Sequence, residues 1–258
     1  MRIVIVQCPI VPGEVELNLS AALQRLSEAL LHRPDVVLYP EEMLVGYPDG
    51  ADGLAEPIEG GAAVARVREV LRGSSTRAIL GLTETDGVRT FITAVVVSAD
   101  GVEARYRKTH LWAAVEGSRH EPSRYTAGEQ LVVFELAGIR CGLVICYDGD
   151  FPEMFRAYAG RGCAVVFWLN NRRSRGPRES RHLAVSNSLA IATSCPCGPD
   201  ENGDHCPGGS HLIDHRGDVI AQLWDEPGLV VGELDPGQAL ADRLVNPFYQ
   251  GRRPELYS

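Results

Sequence analysis

Three side chains that lie far apart in the sequence together supply what nucleophilic cleavage of a carbon–nitrogen bond requires: Cys146, Glu41 and Lys108. A thiol that attacks a carbonyl carbon needs a base, which takes the thiol proton and passes it to the departing amine. The attack also places negative charge on the carbonyl oxygen, and a fixed positive charge stabilises that oxyanion. Glu41 has the chemistry of the base and Lys108 that of the fixed charge, so the three residues predict a cysteine-dependent hydrolytic site.

The position of Cys146 favours this chemistry over a structural role. It ends the apolar run GLVIC, which predicts a strand at 139–146, and the following FPEMFRAYA predicts a helix at 151–160 with Pro152 in its first turn. Amides at a helix N-terminus stabilise the thiolate of a nearby cysteine. The alternative is a buried, reduced thiol, which is what most of the seven cysteines are expected to be.

Glu41 and Lys108 are each expected to follow a strand. DVVLYPEE at 35–42 predicts a short buried strand that ends at Glu41 and Glu42, and sites in α/β folds collect at the carboxyl ends of strands. Lys108, in YRKTHLW, follows the second strand of a hairpin predicted at 90–98 and 102–107. The alternatives are that Glu41 and Glu42 lie in a solvated acidic turn and that Lys108 lies on the surface.

These segments resemble the motifs of the nitrilase superfamily, the carbon-nitrogen hydrolases, whose signature is a Glu-Lys-Cys triad. The three motifs are VVLYPEEMLVGYP, YRKTHLW and GLVICYDGDFPEMFRAYAGRGCAVVF, and the resemblance extends to GGSHLIDHRGDVIA and the terminal RRPELY. It implies that Glu41, Lys108 and Cys146 are the catalytic residues. It also implies a four-layer α/β/β/α sandwich, a thioester intermediate, and no metal or organic cofactor.

The resemblance extends to further residues of the site. Glu121, in EPSRYTAG, corresponds to a second glutamate that orients the lysine and the substrate, with Glu116 as the competing choice. Backbone N–H groups around Cys146 and Tyr147 are expected to help hold the oxyanion. Nitrilases usually follow the cysteine with Trp-Glu, whereas Tyr147-Asp148 is similar to the amidase and carbamoylase branches. Hydrolysis of a small-molecule amide is therefore expected rather than nitrile hydrolysis.

The substrate itself stays open at this stage. The resemblance implies that the pocket is lined by Tyr47, Asn170, Asn171, Arg172 and Arg173. An arginine of this segment, Arg175 included, could bind a carboxylate through a bidentate fork, which suits an N-carbamoyl amino acid or an ω-amide of a dicarboxylic acid. Alternatively these arginines are solvated, and Asp49 and Asp52 after the GYP segment accept an ammonium group.

Composition narrows the class of protein. The 258 residues are 45% hydrophobic, carry a net charge of −9, and include no run approaching 18 apolar residues. The acidic balance argues against nucleic acid or an anionic membrane as a partner. We expect a single domain over 1–258 in the cytoplasm. By resemblance we also expect a homodimer or larger homo-oligomer. The non-enzymatic alternative to the hydrolase is a catalytically silent scaffold.

The remaining patterns predict alternating strands and helices with recurrent hairpins. Asn18 is expected to cap an amphipathic first helix, and residues 196–209 are expected to form a loop. Helices are predicted near 61–72 and 178–188, with strands near 77–84, 163–169, 189–194, 210–214, 218–223 and 228–234. A zinc site is a competing interpretation of Cys195, Cys197, His205, Cys206 and His211, although the spacing lacks the paired Cys-x-x-Cys of common structural sites.

Overall fold

The computed structural model describes residues 1–113, 120–171 and 176–256. The strands are β1 (Arg2–Gln7), β2 (Val36–Leu38), β3 (Arg77–Thr85), β4 (Thr90–Val97), β5 (Val102–Arg107), β6 (Val133–Leu136), β7 (Ile139–Ile145), β8 (Val165–Leu169), β9 (Ala190–Ser194), β10 (Cys197–Pro199), β11 (His205–Ile213), β12 (Val219–Trp224) and β13 (Gly228–Glu233). The α-helices are α1 (Val15–Leu30), α2 (Ala62–Val70), α3 (Pro152–Gly160), α4 (Arg178–Asn187), α5 (Pro236–Arg243) and α6 (Pro247–Gln250).

The strands form two mixed sheets. The first has the order β13-β1-β2-β3-β4-β5, with β1, β2 and β3 parallel and the other neighbours antiparallel. The second has the order β10-β11-β9-β8-β7-β6, with β7, β8 and β9 parallel and β12 paired to β11. The predicted hairpin of β4 and β5 is present, and it explains why the first sheet is not purely parallel.

The apolar residues of the first sheet alternate between two cores, as the period of a strand requires. Val4 and Val6 of β1 pack with Leu19 and Leu26 of α1, so α1 and α2 cover one face of this sheet. On the opposite face, residues such as Ile3 belong to a core shared with the second sheet. Helix α3 packs on β7, and α4 packs on β9 and β11. These contacts are consistent with the expected order of layers, helix, sheet, sheet and helix.

Two local predictions were wrong. Asn18 does not cap α1, because that helix begins one turn earlier at Val15. Its buried side chain instead ties two loops to the helix: Oδ1 accepts a hydrogen bond from the N–H of Val11, and Nδ2 donates to the carbonyls of Val11 and Leu44. The stretch 196–209 is not only a loop either, since β10 and the start of β11 pair within it. Antiparallel pairing between the two ends of this stretch outweighs the glycine and proline content that favours a loop.

Among the residues that the structure describes, no helix is both long enough and apolar enough to cross a membrane. All seven cysteines are free thiols.

Candidate active site

Glu41 lies directly beyond the carboxyl end of β2, and its backbone is tied to the second sheet. Its N–H donates to the carbonyl of Asn170, at 3.2 Å, and the side-chain amide of Asn171 donates to its carbonyl, at 3.3 Å. Gly81 of the adjacent β3 permits this close approach, because a Cβ there would lie 2.3 Å from the carbonyl oxygen of Pro40. Glu41 is completely buried, so its carboxylate is held in one place within the protein interior.

Lys108 follows β5 and extends its buried ammonium to two carboxylates. Its Nζ lies 2.8 Å from Oε1 of Glu41 and 2.7 Å from Oε1 of Glu121. Burial by itself lowers the pKa of Lys108, but the negative charges of Glu41, of Cys146 when it is ionised, and of Glu121 outweigh it and raise that pKa above its ordinary value. Lys108 therefore stays a cation although it is buried.

One oxygen of Glu41 accepts no hydrogen bond from the residues that the structure describes. Oε1 of Glu41 accepts from Lys108, whereas the buried Oε2 has no partner in the described parts of the chain. A buried acceptor without a donor is uncommon in folded proteins and indicates a functional group or an unseen water or ligand. Glu41 thus has one oxygen fixed by a cation and another that is available to receive a proton.

Glu121 joins Lys108 to the surrounding loops. Its Oε1 accepts from the hydroxyl of Tyr47 at 3.1 Å as well as from Lys108, and its Oε2 accepts from the N–H of Trp112 at 2.7 Å. Burial raises the pKa of Glu121, Lys108 opposes that shift, and the charge of Glu41 adds to it. The predicted orienting glutamate is therefore in contact with the lysine, while its competitor Glu116 lies outside the described residues.

Cys146 occupies a tight turn between β7 and α3, as the sequence predicts. Residues Cys146–Asp150 form a 3₁₀ turn, and the backbone φ of Cys146 is +45°, a left-handed conformation that few non-glycine residues adopt. The indole N–H of Trp168 donates to the carbonyl of Cys146 at 3.1 Å. Gly149 fits against the same indole, because a Cβ there would lie 1.9 Å from the ring. The strained turn is thus locked by Trp168.

Cys146 shares its environment with the other predicted residues. The charge of an ionised Cys146 contributes to the raised pKa of Lys108. It also contributes to the raised pKa of Tyr47, for which burial is the largest cause. Cys146 and Tyr47 also belong to one buried apolar cluster, and Cys146 keeps 9% of its surface exposed. The fold therefore brings together three residues from separate motifs.

Sequence reasoning missed the residue that joins the lysine segment to the nucleophile turn, Asp148. Its Oδ1 accepts from the hydroxyl of Thr109 and from the N–H of His110, each at 2.9 Å. Its Oδ2 accepts from the hydroxyl of Tyr106 at 2.7 Å and from the N–H of Ile145 at 3.0 Å. An acid two residues after the cysteine, in the turn before a helix, is the signal that could have drawn attention to it.

The residues predicted to line the substrate pocket divide into two groups. Tyr47, Asn170 and Asn171 are buried and contact Glu121 or Glu41, as described above. Oδ1 of Asn170 has no hydrogen-bond partner within the described ranges. Their roles toward substrate stay predictions. Arg172 and Arg173, and with them Arg175, lie outside the described residues.

The two histidines of the competing zinc interpretation have other partners. His211 contacts Ser180 and the carbonyl of Gly209, and burial lowers its pKa to about 4. His205 lies 2.8 Å from Asp225. Over residues 1–113, 120–171 and 176–256, no group of three or more histidine, cysteine or acidic side chains is arranged to hold a metal ion.

Comparison with known proteins gives relatives over nearly the whole chain. The model of the family described as carbon-nitrogen hydrolase matches residues 2–243. An (R)-stereoselective amidase from Pseudomonas sp is 30% identical over 259 residues, which cover 98% of this chain and 92% of that enzyme. The omega-amidase NIT2 of Homo sapiens is 28% identical over 253 residues, which cover 93% of this chain and 91% of the human enzyme.

Solved structures agree with this comparison. An amidase from Nesterenkonia sp. AN1 superposes with a TM-score of 0.85 at 28% identity, covering 100% of this chain and 98% of that one. That structure is of a mutant and shows the result of Michael addition of acrylamide at the active-site cysteine. A CN-hydrolase superfamily protein from Xanthomonas campestris has the same fold, with a TM-score of 0.88 at 23% identity.

Proposed function

The chain belongs to the carbon-nitrogen hydrolase family and is an amidase-type hydrolase, and from this premise we propose that Cys146, Glu41 and Lys108 carry out its reaction. The observation that carries this assignment is the pair of contacts made by the buried Lys108, whose ammonium holds Oε1 of Glu41, while no described residue donates to Oε2. Such a carboxylate can accept and return a proton without moving.

The proposed reaction has two halves. In the first, the Cys146 thiol transfers its proton to Glu41 as the sulfur bonds to the substrate carbonyl carbon, and Lys108 stabilises the oxyanion. The carbon–nitrogen bond then breaks as Glu41 returns the proton to the departing nitrogen, which leaves as ammonia or an amine. In the second half, Glu41 takes a proton from water as the water oxygen attacks the thioester, and the sulfur leaves with that proton. The carboxylic acid product and the free thiol result.

The supporting residues follow from their contacts. Glu121 accepts a second hydrogen bond from the ammonium of Lys108, and Tyr47 and the N–H of Trp112 hold Glu121 in turn. The N–H groups at the turn of Cys146 and Tyr147 are the proposed additional oxyanion donors. The proposed substrate is a small-molecule amide, a class supported by the amidase and omega-amidase descriptions of the relatives.

Ammonia release from a panel of substrates tests this assignment. The panel contains short amides, ω-amides of dicarboxylic acids, N-carbamoyl amino acids and nitriles, assayed with the wild type and the Cys146→Ala variant. We expect release from amides by the wild type and none above background by the variant, with matching circular dichroism spectra. Equal release by both proteins, or release from nitriles alone, would contradict the proposal.

We also propose a single-domain, cytoplasmic homo-oligomer. The self-association is supported by the exposed apolar side chains of the C-terminal segment, where Leu244, Val245 and Phe248 are 75%, 77% and 65% exposed. Apolar surface of this kind commonly marks an interface between subunits. Sedimentation of the wild type and the Phe248→Asp variant tests it. We expect a dimer or larger assembly for the wild type and a smaller species for the variant, and a monomeric wild type would contradict the proposal.

A further inference from the structure

Four aromatic rings stand beside the proposed nucleophile and pack against one another. His110 and Phe151 are stacked, with centroids 3.8 Å apart and an interplanar angle of 19°. Tyr147 makes edge-to-face contacts with Phe151, at 5.1 Å, and with Trp112, at 5.0 Å. We refer to His110, Trp112, Tyr147 and Phe151 as the aromatic wall.

Two residues of the aromatic wall connect it to the proposed catalytic groups. Tyr147 directly follows Cys146 in the same 3₁₀ turn. Trp112 donates its backbone N–H to Oε2 of Glu121, whose Oε1 holds Lys108. The rings of Tyr147 and Trp112 touch, so the wall runs from the nucleophile to the glutamate that supports the lysine.

The outer end of the aromatic wall is open to solvent. Trp112 leaves 43% of its surface exposed, whereas Trp168, which locks the nucleophile turn, is 2% exposed. Tyr147 and Phe151 are half-buried. Their rings form a continuous row of apolar surface beside a polar, buried reaction centre, and such surface binds flat or apolar groups by edge-to-face and offset contacts.

We propose that the aromatic wall selects amides that carry an aromatic ring close to the scissile bond over short aliphatic amides. This inference rests on the proposed function and specifies its substrate class. The ring of such a substrate lies against Trp112 and Tyr147 while its carbonyl carbon meets Cys146. Since the pairing of two rings adds to simple burial of apolar area, the preference for an aromatic substrate exceeds what its larger size alone would produce.

The test compares kcat/KM for phenylacetamide and propionamide, which release the same ammonia. We expect the wild type to prefer phenylacetamide. Trp112→Ala should reduce the ratio of kcat/KM for phenylacetamide to kcat/KM for propionamide about 10-fold, mostly by raising KM for phenylacetamide. A change of this size is within the range for losing a pocket contact. Trp112→Phe keeps a ring and should restore most of the ratio. Leu31→Ala, which alters a side chain 82% exposed at the end of α1, is the control and should leave both values unchanged.

The outcomes separate the inference from the function on which it rests. Ammonia from neither amide with the wild type would contradict the proposed function. Turnover of both amides with no preference for phenylacetamide would overturn the inference about the aromatic wall and leave the proposed function intact. Equal losses on both substrates in Trp112→Ala, without recovery in Trp112→Phe, would also overturn it, because they would indicate a purely structural role. Phe151→Leu provides a second variant, for which we expect the same direction of change in the ratio.

Discussion

The ammonium of Lys108 lies 2.8 Å from Oε1 of Glu41, and both side chains are fully removed from solvent. A buried ion pair is costly to form unless each charge is compensated, so its presence indicates a use other than stability. The cation holds one carboxylate oxygen in place and leaves its partner oxygen for proton transfer. In the proposed reaction the same cation also stabilises the oxyanion. A single contact thus supports both of the proposed roles.

The adjacent acids Glu41 and Glu42 should differ in their importance for turnover. Of these two acids, Glu41 contacts Lys108, whereas Glu42 accepts a hydrogen bond from the hydroxyl of Thr83. We expect Glu41→Gln to lower kcat by about 10²- to 10⁴-fold, the usual contribution of a general base. Glu42→Gln is the matched control and should retain kcat within a few-fold. Steady-state kinetics check both, and comparable turnover in Glu41→Gln would refute the assigned base.

Glu42 should make the stability of the fold depend on pH. Burial raises its pKa well above 4.5, the hydrogen bond from Thr83 opposes that shift, and the charge of Glu41 adds to it. The folded state therefore holds a proton that the unfolded chain releases above about pH 4.5, and the associated stability is lost as pH rises from there. Glu42→Gln has no carboxyl group to ionise at this position. Its free energy of unfolding relative to that of the wild type should therefore rise by up to about 1.4 kcal/mol per pH unit.

Urea unfolding of both proteins at pH values from 5 to 8 measures this difference in the free energy of unfolding. A difference between the two free energies that stays constant from pH 5 to 8 would show that Glu42 is ionised in the folded protein.

Loss of the charge of Glu121 should weaken catalysis through Lys108. Glu121→Gln removes a negative charge beside Nζ and leaves one oxygen to serve Lys108, Tyr47 and the N–H of Trp112. We expect kcat/KM to fall about 10- to 100-fold, which corresponds to one hydrogen bond of a charged group. The charge of Glu121 also raises the pKa of Lys108, so the loss of that charge should lower this pKa.

Tyr47→Phe is the control for that change, since it removes a hydroxyl contact to Glu121 without removing charge. It should lower kcat/KM less than Glu121→Gln does. A value of kcat/KM in Glu121→Gln equal to that of the wild type would contradict a role for Glu121 in the reaction.

Alkylation should distinguish Cys146 from the other thiols. Burial raises the pKa of Cys8 to about 12 and the pKa values of Cys163 and Cys197 to about 11, so few of these thiols are ionised near neutral pH. With limiting iodoacetamide at pH 7.5 we expect one adduct per chain, located at Cys146 by peptide mass spectrometry, with loss of activity. The Cys146→Ala variant should remain unlabelled over the same time, and equal labelling of Cys197 would contradict the assignment.

A methyl group at Gly149 should disturb the nucleophile turn. Its Cβ would lie 1.9 Å from the ring of Trp168, whose indole N–H holds the carbonyl of Cys146. We expect Gly149→Ala to lower the free energy of unfolding by about 1–3 kcal/mol, as overpacking does. Displacement of the thiol should also lower kcat/KM about 10²-fold. Gly160→Ala, where no described residue outside the helix's own turn lies within 4 Å of the added carbon, should match the wild type in both measurements.

The elements that carry the site were predictable because each depends on local pattern. The apolar run before Cys146 and the proline after it predict a strand and a helix, and β7 and α3 confirm that prediction within one or two residues. The start of α1 was not predictable in this way. Asn18 has the side chain of a helix cap, but its contacts with Val11 and Leu44 depend on where other segments pass.

The residue types at 41, 108 and 146 and their motifs were enough to predict the family and the chemistry. Sequence could not determine which side chains touch, since Lys108 and Glu41 are 67 positions apart and meet only because β2, β3, β4 and β5 are neighbours in one sheet. The same holds for Asp148, whose contacts with Tyr106 and Thr109 join two sheets. Local propensity specifies strands, helices and turns, whereas the order and register of strands, and with them the geometry of the site, depend on packing across the whole chain.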